Sequence, residues 1–190
     1  MVRAITLTAA LALLGAASAR AEIDLTPKES FYEVEGIKTP NVEFKNGPKK
    51  ITYTPPSNWT LSGGGNKLSL IPLDSVQAGA TIETIPTKEP LPAATEANVK
   101  LYSDLAVKLL PQGASKVEVV EALVCPMRIS GKAMIEVTLS YSFYGQPFRM
   151  NILFMPRDKE QLRFQFSARA TDYPAMFKNF RGSLFSMQGL

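Results

Sequence analysis

The chain has 190 residues, enough for one domain with a hydrophobic core, and a net charge of only +4. It contains no histidine and a single cysteine, Cys125. This composition excludes an intramolecular disulfide, the histidine-based catalytic triads and the usual zinc sites. We therefore predict a protein that is not an enzyme, with no catalytic residue, cofactor or metal site. The small charge likewise predicts no nucleic-acid binding.

The first 21 residues have the layout of a secretory signal peptide. Arg3 supplies the positive start, residues 4–17 are apolar or small, and cleavage sites follow Ala19 and Ala21. The apolar run is shorter than the roughly 20 residues that span a bilayer. We predict that residues 1–21 are removed and that no membrane-spanning segment remains. The exported chain is then periplasmic or extracellular, in preference to the thylakoid lumen.

Residues 22–41 have an irregular pattern, which predicts an extended N-terminal arm with a short helical turn near 28–32. Residues 42–190 are predicted to form a single α+β domain. Asn46-Gly47-Pro48 is a turn signal, and it predicts a hairpin between strands at 42–45 and 50–54.

A glycine-rich loop is predicted at 62–66, followed by strands at 67–73 and 80–85. Prolines then lead to a predicted helix over 94–110. Its apolar residues recur every four positions, which is typical of a helix packed on one side. This stripe consists of Ala97, Leu101, Leu105 and Leu109, widened by Tyr102 and Ala106.

The clearest pattern follows this helix. A valine-rich strand is predicted at 116–124, and residues 132–143 alternate strictly between apolar and polar positions. Two more strands with one apolar face are predicted around 148–154 and 162–168, and their short connections indicate an antiparallel meander. A second helix then begins after Asp172, which is a suitable N-cap. Its stripe consists of Tyr173, Phe177, Phe180, Leu184 and Met187.

The order of elements and two segments resemble the Mog1/PsbP-like α/β/α sandwich family. One segment is the Ile51–Trp59 run, ITYTPPSNW, and the other is Leu162–Ala168 leading into the last helix. The resemblance implies an antiparallel sheet with helices on both faces, a three-layer sandwich. It also implies an accessory role, because family members of known function mostly stabilise or bind other proteins.

Polar side chains on the meander strands are the predicted partner-binding surface. If no helix covers them, they form a flat platform on one face of the sheet; otherwise they are boundary residues. The six candidates are Glu136, Thr138, Ser140, Arg163, Gln165 and Arg169.

We accordingly predict a non-catalytic accessory module that contacts a protein or an envelope component. The alternative is a small-ligand carrier with an apolar pocket between sheet and helix. That pocket would be lined by Phe164, Phe166, Phe177 and Tyr102. Trp59 is open to two interpretations, a core residue or a binding aromatic. Neither the oligomeric state nor the identity of the partner follows from the sequence.

Overall fold

A computed structural model describes residues 23–190; the predicted signal peptide and its cleavage sites lie outside this range. The chain forms ten strands and two α-helices. The strands are β1 (Ile23–Val34), β2 (Ile37–Asn46), β3 (Lys49–Tyr53), β4 (Trp59–Gly64), β5 (Lys67–Pro72), β6 (Gly79–Pro86), β7 (Ser115–Val124), β8 (Ile135–Phe143), β9 (Gln146–Pro156) and β10 (Glu160–Arg169). The helices are α1 (Val99–Val107), preceded by a 3-10 turn at Glu96–Asn98, and α2 (Tyr173–Leu184).

Strands β4 to β10 form a seven-stranded antiparallel sheet in the order β4-β5-β6-β10-β9-β8-β7, and β1-β2-β3 form a separate three-stranded sheet. Helix α1 packs on one face of the large sheet. Helix α2 and the small sheet pack on the other. We call these the α1 face and the α2 face. The prediction of an α+β, three-layer arrangement is confirmed.

The core of the α2 face is built around aromatic rings. Phe166 of β10 lies under α2, with its ring centroid 5.8 Å from that of Phe180. Trp59 stacks on Phe180 at 6.2 Å and lies 6.0 Å from Phe166, so it closes one side of this core. The small sheet joins the same core, because the hydroxyl groups of Tyr53 and Ser183 are hydrogen-bonded at 2.7 Å.

The core of the α1 face is centred on Tyr102, which is fully buried beside Phe154, with ring centroids 5.2 Å apart. The Tyr102 hydroxyl donates to the Pro92 carbonyl at 2.5 Å and fixes the proline-rich approach to the helix. Helix α1 is shorter than the helix predicted over 94–110. Its buried residues are Tyr102 and Ala106. Leu101, predicted to lie in the apolar stripe, is 44% exposed.

Two predictions about the N-terminal half are wrong. Residues 28–32 belong to strand β1 and make no helical turn; together, β1 and β2 form a long hairpin that occupies most of the predicted arm. The start of this hairpin enters the core, since Ile23 and Leu25 are each 1% exposed. Strand β4 was also missed, because the glycines at its end indicated a loop, whereas they form the turn into β5.

Replacing Phe180 with alanine should lower the free energy of unfolding by about 3–5 kcal/mol, because the ring is 1% exposed and contacts two other aromatic rings. Phe185→Ala is the matched control: that ring is 64% exposed, and its loss should change stability by under about 0.5 kcal/mol. Urea denaturation measures both variants, and equal effects would contradict the described position of α2.

Candidate functional site

The six predicted partner-binding residues divide between the two faces of the large sheet. Leu153 lies opposite Glu136 on one side and Phe164 on the other, which puts Glu136 on the α2 face. Phe154, the next residue, lies opposite Arg163 and therefore puts Arg163 on the α1 face. Successive side chains of a strand alternate between faces. Glu136, Thr138 and Ser140 thus share one face, and Arg163, Gln165 and Arg169 share the opposite one, so the prediction of one common platform is wrong.

Glu136 is buried beneath α2, at 4% exposure, and its carboxylate is paired on both oxygens. One oxygen accepts hydrogen bonds from the Arg181 guanidinium and from the Asn151 side-chain amide, the latter at 2.9 Å. The other accepts from the Cys125 thiol at 3.2 Å. A buried charge needs this degree of pairing. Glu136 therefore ties α2 to the sheet and presents nothing to a partner.

Thr138 and Ser140 continue the row of Glu136 toward the end of β8. The Thr138 hydroxyl accepts a hydrogen bond from Asn151 at 3.0 Å and is buried with it. Ser140 is half-buried, and its hydroxyl donates to a Glu118 carboxylate oxygen at 3.5 Å. Glu136 and Thr138 are therefore boundary residues covered by α2 and its neighbours, the alternative to an open platform.

Cys125 is a buried thiol, 4% exposed, at the edge of the same cluster. Burial is the main reason why the pKa of this thiol is raised to about 11, and the hydrogen bond and negative charge of Glu136 contribute in the same direction. The thiolate is the reactive form of cysteine. The surroundings of Cys125 thus suppress the form that a nucleophile would need.

The α1 face is only partly covered by its helix, because α1 makes its strand contacts mainly with β7 and β8. The neighbouring strands β5, β6 and β10 carry a band of mostly half-buried polar side chains on this face, which we call the polar strip. Its residues are Lys67, Ser69, Thr81, Glu83, Arg163, Gln165, Ser167 and Arg169.

The polar strip is ordered by cross-strand pairing. Glu83 lies opposite Arg163 and forms an ion pair with it, with side chains 20% and 15% exposed. Thr81 lies opposite Gln165 and Gly79 opposite Ser167, and Arg169 is the last strip residue on β10, opposite Phe148. Three of the six predicted residues, Arg163, Gln165 and Arg169, lie on it.

At the end of the polar strip marked by Ser167 lies a groove of about 460 Å³, which we call the aromatic groove. It is lined by Val76, Gln77, Gly79, Pro111, Tyr141, Phe143, Tyr144, Gln146, Phe148 and Ser167. None of these residues is charged. Ser167 belongs to both features, and Gly79 of the groove lies opposite it, so the two form one continuous surface.

The rings of the aromatic groove are mutually packed. Tyr141 and Phe148 stack with centroids 5.7 Å apart and an interplanar angle of 24°, and the Tyr141 hydroxyl is hydrogen-bonded to that of Ser167 at 2.8 Å. Phe143 meets Phe148 edge to face at 6.2 Å. Tyr144 lies over Phe143 with centroids 4.4 Å apart and is 89% exposed. These rings were not predicted as a site from the sequence.

The backbone holds Tyr144 in an unusual conformation. Tyr144 and Gly145 form the two-residue turn between β8 and β9, with φ of 47° and 76°. Positive φ at both positions is the type I′ turn, for which Asn-Gly is strongly preferred. A bulky residue with positive φ is uncommon. The Tyr-Gly pair in this turn was the one sequence signal that could have indicated the site.

The predicted apolar pocket of the ligand-carrier alternative is not formed. Tyr102 belongs to the core of the α1 face, whereas Phe164, Phe166 and Phe177 belong to that of the α2 face. The sheet separates the two cores. Phe164 and Phe166 are themselves fully buried by packing.

Within residues 23–190, no group of three or more His, Cys, Asp or Glu side chains is placed to hold a metal ion. In the same part of the chain, no helix is long and apolar enough to cross a membrane.

No protein-family model and no curated protein matches the chain, but solved structures do. A protein from Bacteroides thetaiotaomicron has 9% identity and a TM-score of 0.45; the match covers 74% of this chain and only 45% of that one. A protein of unknown function from Pseudomonas aeruginosa has 10% identity and a TM-score of 0.45, with 85% and 97% covered.

The PsbP protein of the cyanobacterium Synechocystis sp. PCC 6803 also matches, with 14% identity and a TM-score of 0.44 over 74% of this chain and 86% of that one. A protein of the family that the sequence resembles is therefore among the solved structures similar to this chain. A likeness of fold does not carry a function or a site with it.

The thiol of Cys125 should react slowly with a disulfide reagent such as DTNB near pH 8. Raising its pKa from 9.0 to about 11 lowers the thiolate fraction about a hundredfold, and burial slows the reaction further. The expected native rate is thus at least about a hundredfold below the rate in denaturant. Similar rates in both conditions would contradict the described packing around Glu136.

Replacing Tyr144 with asparagine should stabilise the fold slightly. Asn-Gly suits the type I′ turn, a gain of about 1 kcal/mol, while the lost contact with Phe143 costs about 0.5 kcal/mol for so exposed a ring. Glu35→Asn is the matched control, since Glu35-Gly36 forms an equivalent turn with φ of 52° and 81°. Thermal unfolding measures both; a loss of more than about 1 kcal/mol at position 144 would contradict the turn analysis.

Proposed function

We propose that this chain is an exported, non-catalytic binding module that contacts a protein or an envelope component through the α1 face. The contact surface is the polar strip together with the aromatic groove. The observation that carries the proposal is their continuity: an uncharged aromatic depression adjoins a band of half-buried polar side chains, and α1 covers the remainder of the same face.

This composition is that of a recognition surface. Interfaces are enriched in tyrosine, phenylalanine and arginine at their centres, and polar side chains surround the centre. The aromatic groove supplies Tyr144 and Phe148, and the polar strip supplies Arg169 and Gln165. The Arg169 side-chain Nε is buried without a hydrogen-bond partner, so one donor beside Phe148 remains to be satisfied.

The non-catalytic part of the proposal rests on the groups that could have done chemistry. The absence of histidine from the whole chain removes the commonest general base. The buried carboxylate of Glu136 is paired on both oxygens, and the pKa of the Cys125 thiol is raised. Glu136 and Cys125 both belong to the packed cluster on the α2 face.

The second candidate function is a small-ligand carrier whose binding site is the aromatic groove. The aromatic groove has the volume of a small-molecule site and combines apolar walls with a few polar groups, Gln77, Gln146 and Ser167. In this version the ligand lies at the end of the sheet and not between sheet and helix.

Site-specific photo-crosslinking in cells that make the protein tests the binding surface. A crosslinking residue at Gln165 or Gln146 should give discrete adducts, because both positions lie on the proposed surface. Phe185, which is exposed on the C-terminal side of α2, is the control position. The identity of the adduct is read by mass spectrometry.

Adducts at the control position alone, or none from either test position, would refute the proposed surface. Turnover of an ester, peptide, phosphate or glycoside substrate by the purified chain, abolished by a matched side-chain substitution, would refute the non-catalytic assignment. Recovery of the exported protein with residues 1–21 still attached would refute signal cleavage.

A further inference from the structure

We infer that the aromatic groove binds an uncharged sugar ring, which stacks on Tyr144 and hydrogen-bonds to the amides of Gln77 and Gln146. This inference rests on the proposed function and deepens it, because it names the envelope component as a neutral saccharide. Three observations carry it: the exposed ring of Tyr144, the absence of charge in the lining, and the stacking of the remaining rings.

Tyr144 has the exposure and the backbone of a residue kept for contact with a ligand. Its ring is 89% exposed although Phe143 supports it from one side at 4.4 Å. Its φ of 47° favours asparagine or glycine, so the turn itself gives no reason for a tyrosine. Backbone strain of this kind clusters at ligand-binding sites. A tyrosine ring offers a flat apolar face, and sugar rings present a face of C–H groups that packs on it.

The absence of charged residues from the groove favours a neutral ligand. None of its lining residues is ionisable near neutral pH, whereas the adjoining polar strip carries Lys67, Glu83, Arg163 and Arg169. A charged ligand would be better bound by the strip, so the groove is complementary to a neutral one. Its polar groups are amides and hydroxyls, which both donate and accept hydrogen bonds. Sugar hydroxyls also do both, and they match this set.

The packing of the rings distinguishes a sugar from a proline-rich peptide. Such peptides dock between aromatic side chains that form a groove for the proline rings. Here Tyr141 and Phe148 are stacked on each other at 5.7 Å, and Phe143 closes the edge of Phe148. No slot is left between these rings, and the most exposed aromatic ring of the groove is Tyr144.

Isothermal titration with neutral oligosaccharides tests this inference. Chitohexaose, cellohexaose and maltohexaose would be titrated into the mature chain, with polygalacturonate as a charged control and a proline-rich dodecapeptide as the peptide control. We expect saturable binding of at least one neutral oligosaccharide in the range of about 0.01–1 mM. Tyr144→Ala and Tyr144→Asn should weaken it at least about tenfold. Phe185→Ala, which removes an exposed ring elsewhere on the surface, should leave it unchanged.

Tyr144→Asn keeps the test decisive, since this variant is expected to fold at least as well as the parent chain. Weaker binding by a fully folded Tyr144→Asn protein supports the stacking role. Lack of saturable binding to all three oligosaccharides at about 10 mM would overturn the inference. Binding of the proline-rich peptide alone, or sugar binding unaffected at Tyr144, would overturn it as well. Crosslinked adducts from Gln165 would still stand in those cases, so failure here is separable from failure of the proposed binding surface.

Discussion

The register of β9 between β8 and β10 is the constraint on which the rest of the structure depends. Six consecutive residues, Met150 to Met155, are buried, and they alternate between the two faces of the sheet. Ile152 and Phe154 meet α1, whereas Asn151 and Leu153 face α2. A shift of one residue would exchange the two sets and bury the wrong side chains on both faces. The position of both helices and the composition of the open surface therefore follow from this pairing.

The alternation within each strand could be predicted from the sequence, but the relation between strands could not. The apolar side of β9, with Phe154, packs under α1, and the apolar side of β10, with Phe164, packs under α2. Period-two patterning tells which residues of a strand share a face and leaves open which layer that face meets. This is why Glu136 and Arg163 were assigned to one platform although the sheet separates them.

Other differences have local causes. The hydrophobic period predicted a helix near α1. The Tyr102 hydroxyl donates a hydrogen bond to the Pro92 carbonyl, and this contact fixes Tyr102 in the core. The buried face of α1 is therefore centred on Tyr102 and Ala106 and not on the predicted leucine stripe. The aromatic groove was missed because Tyr141, Phe143 and Phe148 fit the pattern of a buried strand face. Only the Tyr144-Gly145 turn carries a signal of its own, and it requires knowledge that the loop has two residues.

The strand order places the middle of the large sheet near the end of the chain. The second neighbour of strand β6 is β10. Ile82 therefore pairs with Phe164, a residue 82 positions later in the chain. Contacts of such long sequence separation slow folding, because a long loop must close before they form. During synthesis the β4–β6 unit would keep an unpaired edge until nearly the whole polypeptide has emerged. Cooperative folding is thereby delayed to the last stage of chain growth, and fragments truncated before β10 would expose that edge to other chains.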